Sequence, residues 1–258
     1  MDRFFVDREN IDTQARNLVI LGDDVKHISK VLRYSVGDEL EVCDGQNKEY
    51  ICRINSMDKT EIGLSIIEEK DVDRESPIRI KLYQGLPKST KMEIILQKLT
   101  ECGVAEIILV NTARSVVNID DKKSEKKLDR WQRIVYEAAK QSKRGIIPDL
   151  KGIYSFKEAL RDMEVNDINI MPYEEEGSLG IKELLRSEGI QQIIKENKSA
   201  TIGIFIGPEG GFTEDENAKV KEAGGHSVKM GPRIFRTETA SIVATSICLY
   251  ELGDIGGM

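Results

Sequence analysis

The stretch Thr201-Ile202-Gly203-Ile204-Phe205-Ile206-Gly207-Pro208-Glu209-Gly210-Gly211-Phe212-Thr213-Glu214-Asp215-Glu216 decides how the rest of this sequence is read. Its apolar first six residues predict a buried strand. Three glycines and a proline then predict a loop able to take positive φ and to let a ligand approach the backbone. Thr213 followed by Glu216 is a capping box, so a helix must begin there. A loop between a buried strand and a helix, at the strand's carboxyl end, is where open α/β sheets bind ligands. No Gly-Lys-Ser/Thr ending and no Gly-x-Gly-x-x-Gly is present, and Glu209 would repel a pyrophosphate, so a nucleotide phosphate is disfavoured.

A second stretch repeats the arrangement. Met230-Gly231-Pro232-Arg233-Ile234-Phe235-Arg236-Thr237-Glu238-Thr239-Ala240 follows a predicted strand ending at Met230 and opens a helix over 237–252, with Thr237 as its candidate N-cap. Two arginines and a glutamate stand at one edge of it. A bare turn explains either stretch alone; two in tandem at strand ends point to a ligand.

Outward from these loops, strands alternate with helices. Strands are predicted at 78–84, 106–110 and 168–171, and helices at 89–101, around 128–138, and across 179–195. This is an α/β domain with a mainly parallel sheet. Before residue 72 the chain instead reads as short strands at 18–21, 38–45, 50–54 and 61–66, with one helix at 23–32 behind an Asp cap. The predicted division is a small β-barrel-like domain over 1–72 and the α/β domain over 73–258, joined by the charged segment 68–77.

Composition narrows the chemistry. With 258 residues, 40% hydrophobic and 32% charged, the chain has the make-up of a water-soluble globular protein. No apolar run is long enough for a membrane span and Met1–Arg8 has no signal core, which predicts a cytoplasmic protein. Four scattered cysteines without Cys-x-x-Cys, and only His27 and His226, argue against a zinc site, a disulfide framework or histidine-led catalysis. Cys43 and Cys52 are expected in the core, and no metal is expected. Net charge is −7, yet residues 122–144 carry nine basic against three acidic side chains. A local basic footprint on an acidic protein suits nucleic acid. Trp131 lies within it, on the face of Leu128, Ile134 and Val135, and is expected to pack inward.

Taken together, Gly207-Pro208-Glu209-Gly210-Gly211-Phe212 and Met230–Ala240 closely resemble the paired signature of the 16S ribosomal RNA uridine-N3 methyltransferases. Lys88-Ser89-Thr90-Lys91-Met92-Glu93, the stretches 97–104 and 130–144, and His27-Ile28-Ser29-Lys30-Val31-Leu32-Arg33 extend the resemblance over nearly the whole chain. Met230 and Phe235 replace leucines usual in that family, Cys102 replaces a frequent leucine, and Lys140 stands where an acidic or polar residue is common.

The resemblance implies a SPOUT methyltransferase domain with a C-terminal trefoil knot, preceded by a PUA-like domain, working as a homodimer on the small ribosomal subunit. It implies S-adenosylmethionine as cofactor, enclosed by Gly207, Pro208, Glu209, Gly210 and Gly211, by Met230, Gly231, Arg233, Ile234 and Thr239, and by a third wall after Met171 and Pro172. Arg236 would stabilise the anion of the deprotonated uracil, with Arg114 and Arg144 as weaker candidates. Glu238 would accept the proton or anchor Arg236. Arg3, Arg8, Arg16, Arg33, Arg114, Lys140, Lys143 and Arg144 are candidate RNA contacts. Three alternatives stay open: methylation of a ribose or another base on the same fold, a non-catalytic ribosome-assembly factor, and a dinucleotide oxidoreductase lacking its glycine fingerprint.

Overall fold

The computed structural model describes residues 1–71, 74–115 and 121–256. The expected domain boundary at Val72 and Asp73, and the side chains of Lys122 and Lys123, lie outside the described residues. The chain packs as two units, Met1–Glu75 with Ala139–Ile147, and Ser76–Ala138 with Pro148–Met258. The first unit thus takes in residues 139–147, which the sequence division assigned to the α/β domain.

Six strands form the sheet of the N-terminal unit: Arg3–Phe5, Ile11–Asp12, Asn17–Leu21, Glu39–Cys43, Lys48–Met57 and Glu61–Asp71. Their spatial order is first, fourth, fifth, sixth, third, second, antiparallel except for the first pair. Phe4, Leu18, Ile20, Leu40, Val42, Ile54, Ile62 and Leu64 all fall into one buried cluster. A single sheet whose inner faces share one core must curl around it. Irregularities between Ile51 and Cys52 and between Ile54 and Ser56 supply bending in strand Lys48–Met57.

The helix expected over 23–32 is only one α-turn, Asp23–Lys26, followed by a π-turn over His27–Val31. Its cap is Gly22 at φ 74°, not an Asp. Val25 and Ile28 still reach the core, but Val31 faces solvent.

Residues 139–147 join this unit through charge. The Arg3 guanidinium is 1% exposed, 2.6 Å from Glu41 and 2.7 Å from Glu49, and donates to the Arg144 carbonyl at 2.7 Å. Arg144 pairs with Glu75, which also accepts from the Gly145 and Ile146 N–H groups. Lys140 reaches Asp24 at 3.0 Å and lies 4.5 Å over the Phe4 ring.

The C-terminal unit is a wholly parallel six-stranded sheet. In spatial order its strands are His226–Val228, Ile168–Pro172, Thr201–Ile206, Arg79–Gly85, Glu106–Asn111 and Asp149–Ser155. The helices are Ser89–Cys102, Asp121–Gln141 (entering the first unit at Ala139), Phe156–Asp162, Ile181–Leu185, Glu188–Glu196, Glu214–Glu222 and Thr237–Glu251. Gly103 ends the first of these at φ 102°. Trp131 is buried, as its helical face requires. Tyr83 stacks on Phe205 across the central strand pair, centroids 4.2 Å apart. Because all six strands are parallel, the loops after residues 85, 172, 206 and 228 emerge on one edge. No helix of the described residues is long and apolar enough to cross a membrane.

Candidate active site

At that edge lies a cavity of about 450 Å³, lined by Ile206–Phe212, Lys229–Thr237, Pro172–Glu174, Lys91 and Ala240. The two loops singled out in the sequence are its main walls. Their conformation follows from small residues. A Cβ on Gly85 would stand 2.6 Å from Pro208 Cδ and 2.7 Å from its nitrogen, so only glycine lets the loop cross the strand end. Gly211 turns at φ 67° and its N–H donates to the Pro208 carbonyl at 2.9 Å. The capping box forms as expected, with Thr213 and Glu216 exchanging bonds. Glu216 also accepts from Ala113 N–H at 2.8 Å.

A buried polar network fastens the second loop to the first. Thr237 Oγ1 donates to the Gly207 carbonyl at 2.6 Å and accepts from Gln84 Nε2 at 3.0 Å. Gln84 in turn accepts from Ser241 Oγ at 2.6 Å. The N-cap of the last helix is therefore Arg236, and Thr237 is its first helical residue. The hydroxyl expected to cap the helix instead binds the neighbouring loop.

Charge at the cavity is unevenly committed. Arg233 and Arg236 are exposed at its rim, and among the described residues neither guanidinium has a hydrogen bond or ion pair. Glu238 does not anchor Arg236. Its carboxylate lies 3.5 Å from Lys91 Nζ, and its buried Oε2 accepts no hydrogen bond. Lys91 also reaches Glu209 Oε1 at 3.3 Å, where the Lys88 N–H donates at 3.2 Å. Burial pushes the Glu209 carboxyl up, but its own N–H, that of Lys88 and the Lys91 ammonium outweigh this and hold it below its ordinary value.

The other expected site residues divide clearly. Gly207, Pro208, Glu209, Gly210, Gly211, Met230, Gly231, Arg233, Ile234 and Pro172 line the cavity. Met171 does not: it is fully buried in a cluster with Phe205, Phe212 and Val220, and the wall belongs to the residues after it. Nor does exposed Thr239; Thr237 and Ala240 line the cavity in its place. Arg114 donates to the Gly210 carbonyl at 2.9 Å, so it braces the glycine loop.

Among the candidate RNA contacts, Arg3, Lys140 and Arg144 are buried in ion pairs and present no free charge to a phosphate. The same burial removes Arg144 as a uracil contact. Arg16 donates to the Ile66 and Ile67 carbonyls. Arg8 pairs with Asp44 at 3.2 Å and Lys143 with Glu41 at 3.3 Å, both partly exposed. Arg33 is exposed. Sequence reasoning assigns no site role to Lys91, Gln84 or Ser241, although Lys91 lies in a stretch that carries the family resemblance. The one available signal was Gln84, a polar residue inside a buried parallel strand.

A PUA-type module followed by an RNA methyltransferase domain is the class that comparison with known families defines. Residues 74–249 match the RNA methyltransferase domain model and residues 20–67 the RNA methyltransferase PUA domain model. The ribosomal RNA small subunit methyltransferase E of Bacillus subtilis is 37% identical over 253 residues, 97% of each chain. The crystal structure of that enzyme from Neisseria gonorrhoeae bound to S-adenosyl methionine is 31% identical, with a TM-score of 0.83, covering 99% of this chain and 100% of that one. A putative methyltransferase of Legionella pneumophila with bound SAM is 29% identical, with a TM-score of 0.83 and 96% of each chain covered. The chain belongs to the ribosomal RNA small subunit methyltransferase E family.

Proposed function

We propose that this chain is a homodimeric cytoplasmic enzyme that uses S-adenosylmethionine to methylate N3 of one uridine in 16S ribosomal RNA, uridine 1498 in the usual numbering. The cavity suits the cofactor. Its volume falls within the range of small-molecule sites, and its glycine loop offers backbone rather than bulk. The backbone at Gly207–Gly211 and Met230–Ile234 would enclose the cofactor, and Pro172–Glu174 would form the third wall. S-adenosylmethionine supplies a methyl group already activated by its sulfonium, so no metal is required.

The observation that carries the reading is the unpaired Arg236 beside the cofactor loop. Uridine N3 becomes nucleophilic only without its proton, and the resulting charge spreads over the carbonyl oxygens. A guanidinium with no other partner, aimed at those oxygens, stabilises that anion. N3 also lies on the pairing edge, so the base must leave its stack to reach the cavity. Arg8, Arg33, Lys143 and the exposed basic residues of helix Asp121–Gln141 are the groups left to grip phosphates. The same reading carries the trefoil knot expected from the family resemblance.

The test is methyl transfer from labelled S-adenosylmethionine to small subunits lacking the modification, followed by nucleoside analysis. The expected product is 3-methyluridine. Label in another nucleoside would overturn the specificity, and no label would overturn the activity.

A further inference from the structure

We propose that Glu209, and not Glu238, is the carboxylate that takes the N3 proton, and that Lys91 and Glu238 are positioning residues that hold it. This rests on the uridine-N3 reading. Three carboxylates stand near the cavity and they are not equivalent. Glu209 and Glu174 line it; Glu238 does not. Glu174 is exposed and nothing among the described residues orients its carboxylate, whereas Glu209 belongs to the glycine loop and is held by its neighbours. Glu238 is held 3.5 Å from Lys91 through an Oε2 sealed from solvent. A base must reach the proton it removes, directly or through one water. Glu209 is placed for that and Glu238 is not.

Glu209 is also held in one orientation. Both contacts from other residues, the Lys88 N–H at 3.2 Å and Lys91 Nζ at 3.3 Å, fall on Oε1. Neither contact takes Oε2, the oxygen assigned to the proton. These donors hold the carboxylate ionised and lower its basicity, so the proton transfer depends on Arg236 stabilising the uracil anion that forms. Lys91 is also steadied by Glu238 at 3.5 Å. Helix Ser89–Cys102, the glycine loop and helix Thr237–Glu251 therefore meet at one ammonium, and the acidic residue of the second loop acts through it. In the step itself the N3–H bond breaks, an O–H bond forms at Glu209 Oε2, and the electron pair stays on N3. The charge that spreads to the uracil oxygens faces Arg236, and the proton passes from Glu209 to water after methyl transfer.

The experiment compares Glu209→Gln, Glu238→Gln, Lys91→Met and Lys91→Arg in the full chain. Turnover on unmodified small subunits is read beside S-adenosylmethionine affinity by calorimetry. Glu209→Gln should lower kcat by about a hundredfold or more, the usual effect of a general base, while cofactor affinity stays within about threefold. Lys91→Met and Glu238→Gln should each lose less. Their double variant should lose no more than the worse single, because both act through one contact. Lys91→Arg should recover most of the loss.

Glu209→Gln with near-normal kcat, or with affinity and kcat falling together, would overturn the assignment. So would a Glu238→Gln loss exceeding that of Glu209→Gln. An inactive wild-type chain would overturn the functional reading and the inference together. An active wild-type chain with an unaffected Glu209→Gln would overturn the inference alone.

Discussion

Arg3, Lys140 and Arg144 in the N-terminal unit and Arg233 and Arg236 in the C-terminal unit are the same kind of side chain in opposite circumstances. The first three are buried, each against one or two carboxylates. The last two stand at a cavity rim with no partner. A buried ion pair replaces hydration with fixed partners and leaves no charge for a ligand. An unpaired guanidinium beside a cavity remains hydrated until a ligand arrives, and its charge is available to that ligand. Arg3, Lys140 and Arg144 therefore build the first unit internally, while Arg233 and Arg236 keep their charge available at the cavity of the second.

The sharpest way to break this contrast is to delete a charge of each kind. Arg3→Met leaves Glu41 and Glu49 buried side by side and should cost about 3–5 kcal/mol of stability, read as a lower urea midpoint. An unchanged midpoint would mean the pair is not structural. Arg236→Ala should leave that midpoint where it is and lower kcat by about 10²–10³, with cofactor affinity nearly intact. Equal losses of kcat and affinity would make Arg236 a cofactor residue.

Smaller effects sharpen the account of the loops. Thr237→Val strands the Gly207 carbonyl and the Gln84 amide, at about 1–3 kcal/mol. S-adenosylmethionine affinity should fall on the order of tenfold, and calorimetry showing no change would detach the network from the site. The least effect is expected at Glu176, just beyond the third wall. Lys221 and the Ser178 N–H and hydroxyl bring its carboxyl down to about 2. A folded-state value below the ordinary carboxylate one contributes stability above the ordinary range, and that contribution is lost as pH falls toward about 2. Lys221→Ala should move the Glu176 midpoint up toward about 4.3, observable by carboxyl NMR. A midpoint that stays put would show that Lys221 is not its main partner.

Local signals carried much of this architecture in the sequence. Strand 201–206, the Thr213–Glu216 box and the inward Trp131 depend on neighbours within a few residues, and the structure places each as expected. Strand Asp149–Ser155 leaves little signal in the sequence because it is an edge strand with no fully buried residue, which blunts its alternation. The buried fates of Arg3 and Arg144 were illegible for another reason. Their contact spans 141 residues of sequence, and nothing near either position distinguishes a paired arginine from a free one. Thr237 shows the same limit at the site. A threonine before a helix is an N-cap by local rule, and only the tertiary approach of Gly207 turns its hydroxyl elsewhere.

The most direct test of the central claim is an amide NMR titration of S-adenosylmethionine into the full wild-type chain. The account predicts that the largest shifts fall on Gly207, Gly210, Gly211 and Gly231, with the N-terminal strands unmoved. Shifts that bypass both loops and cluster elsewhere would contradict it.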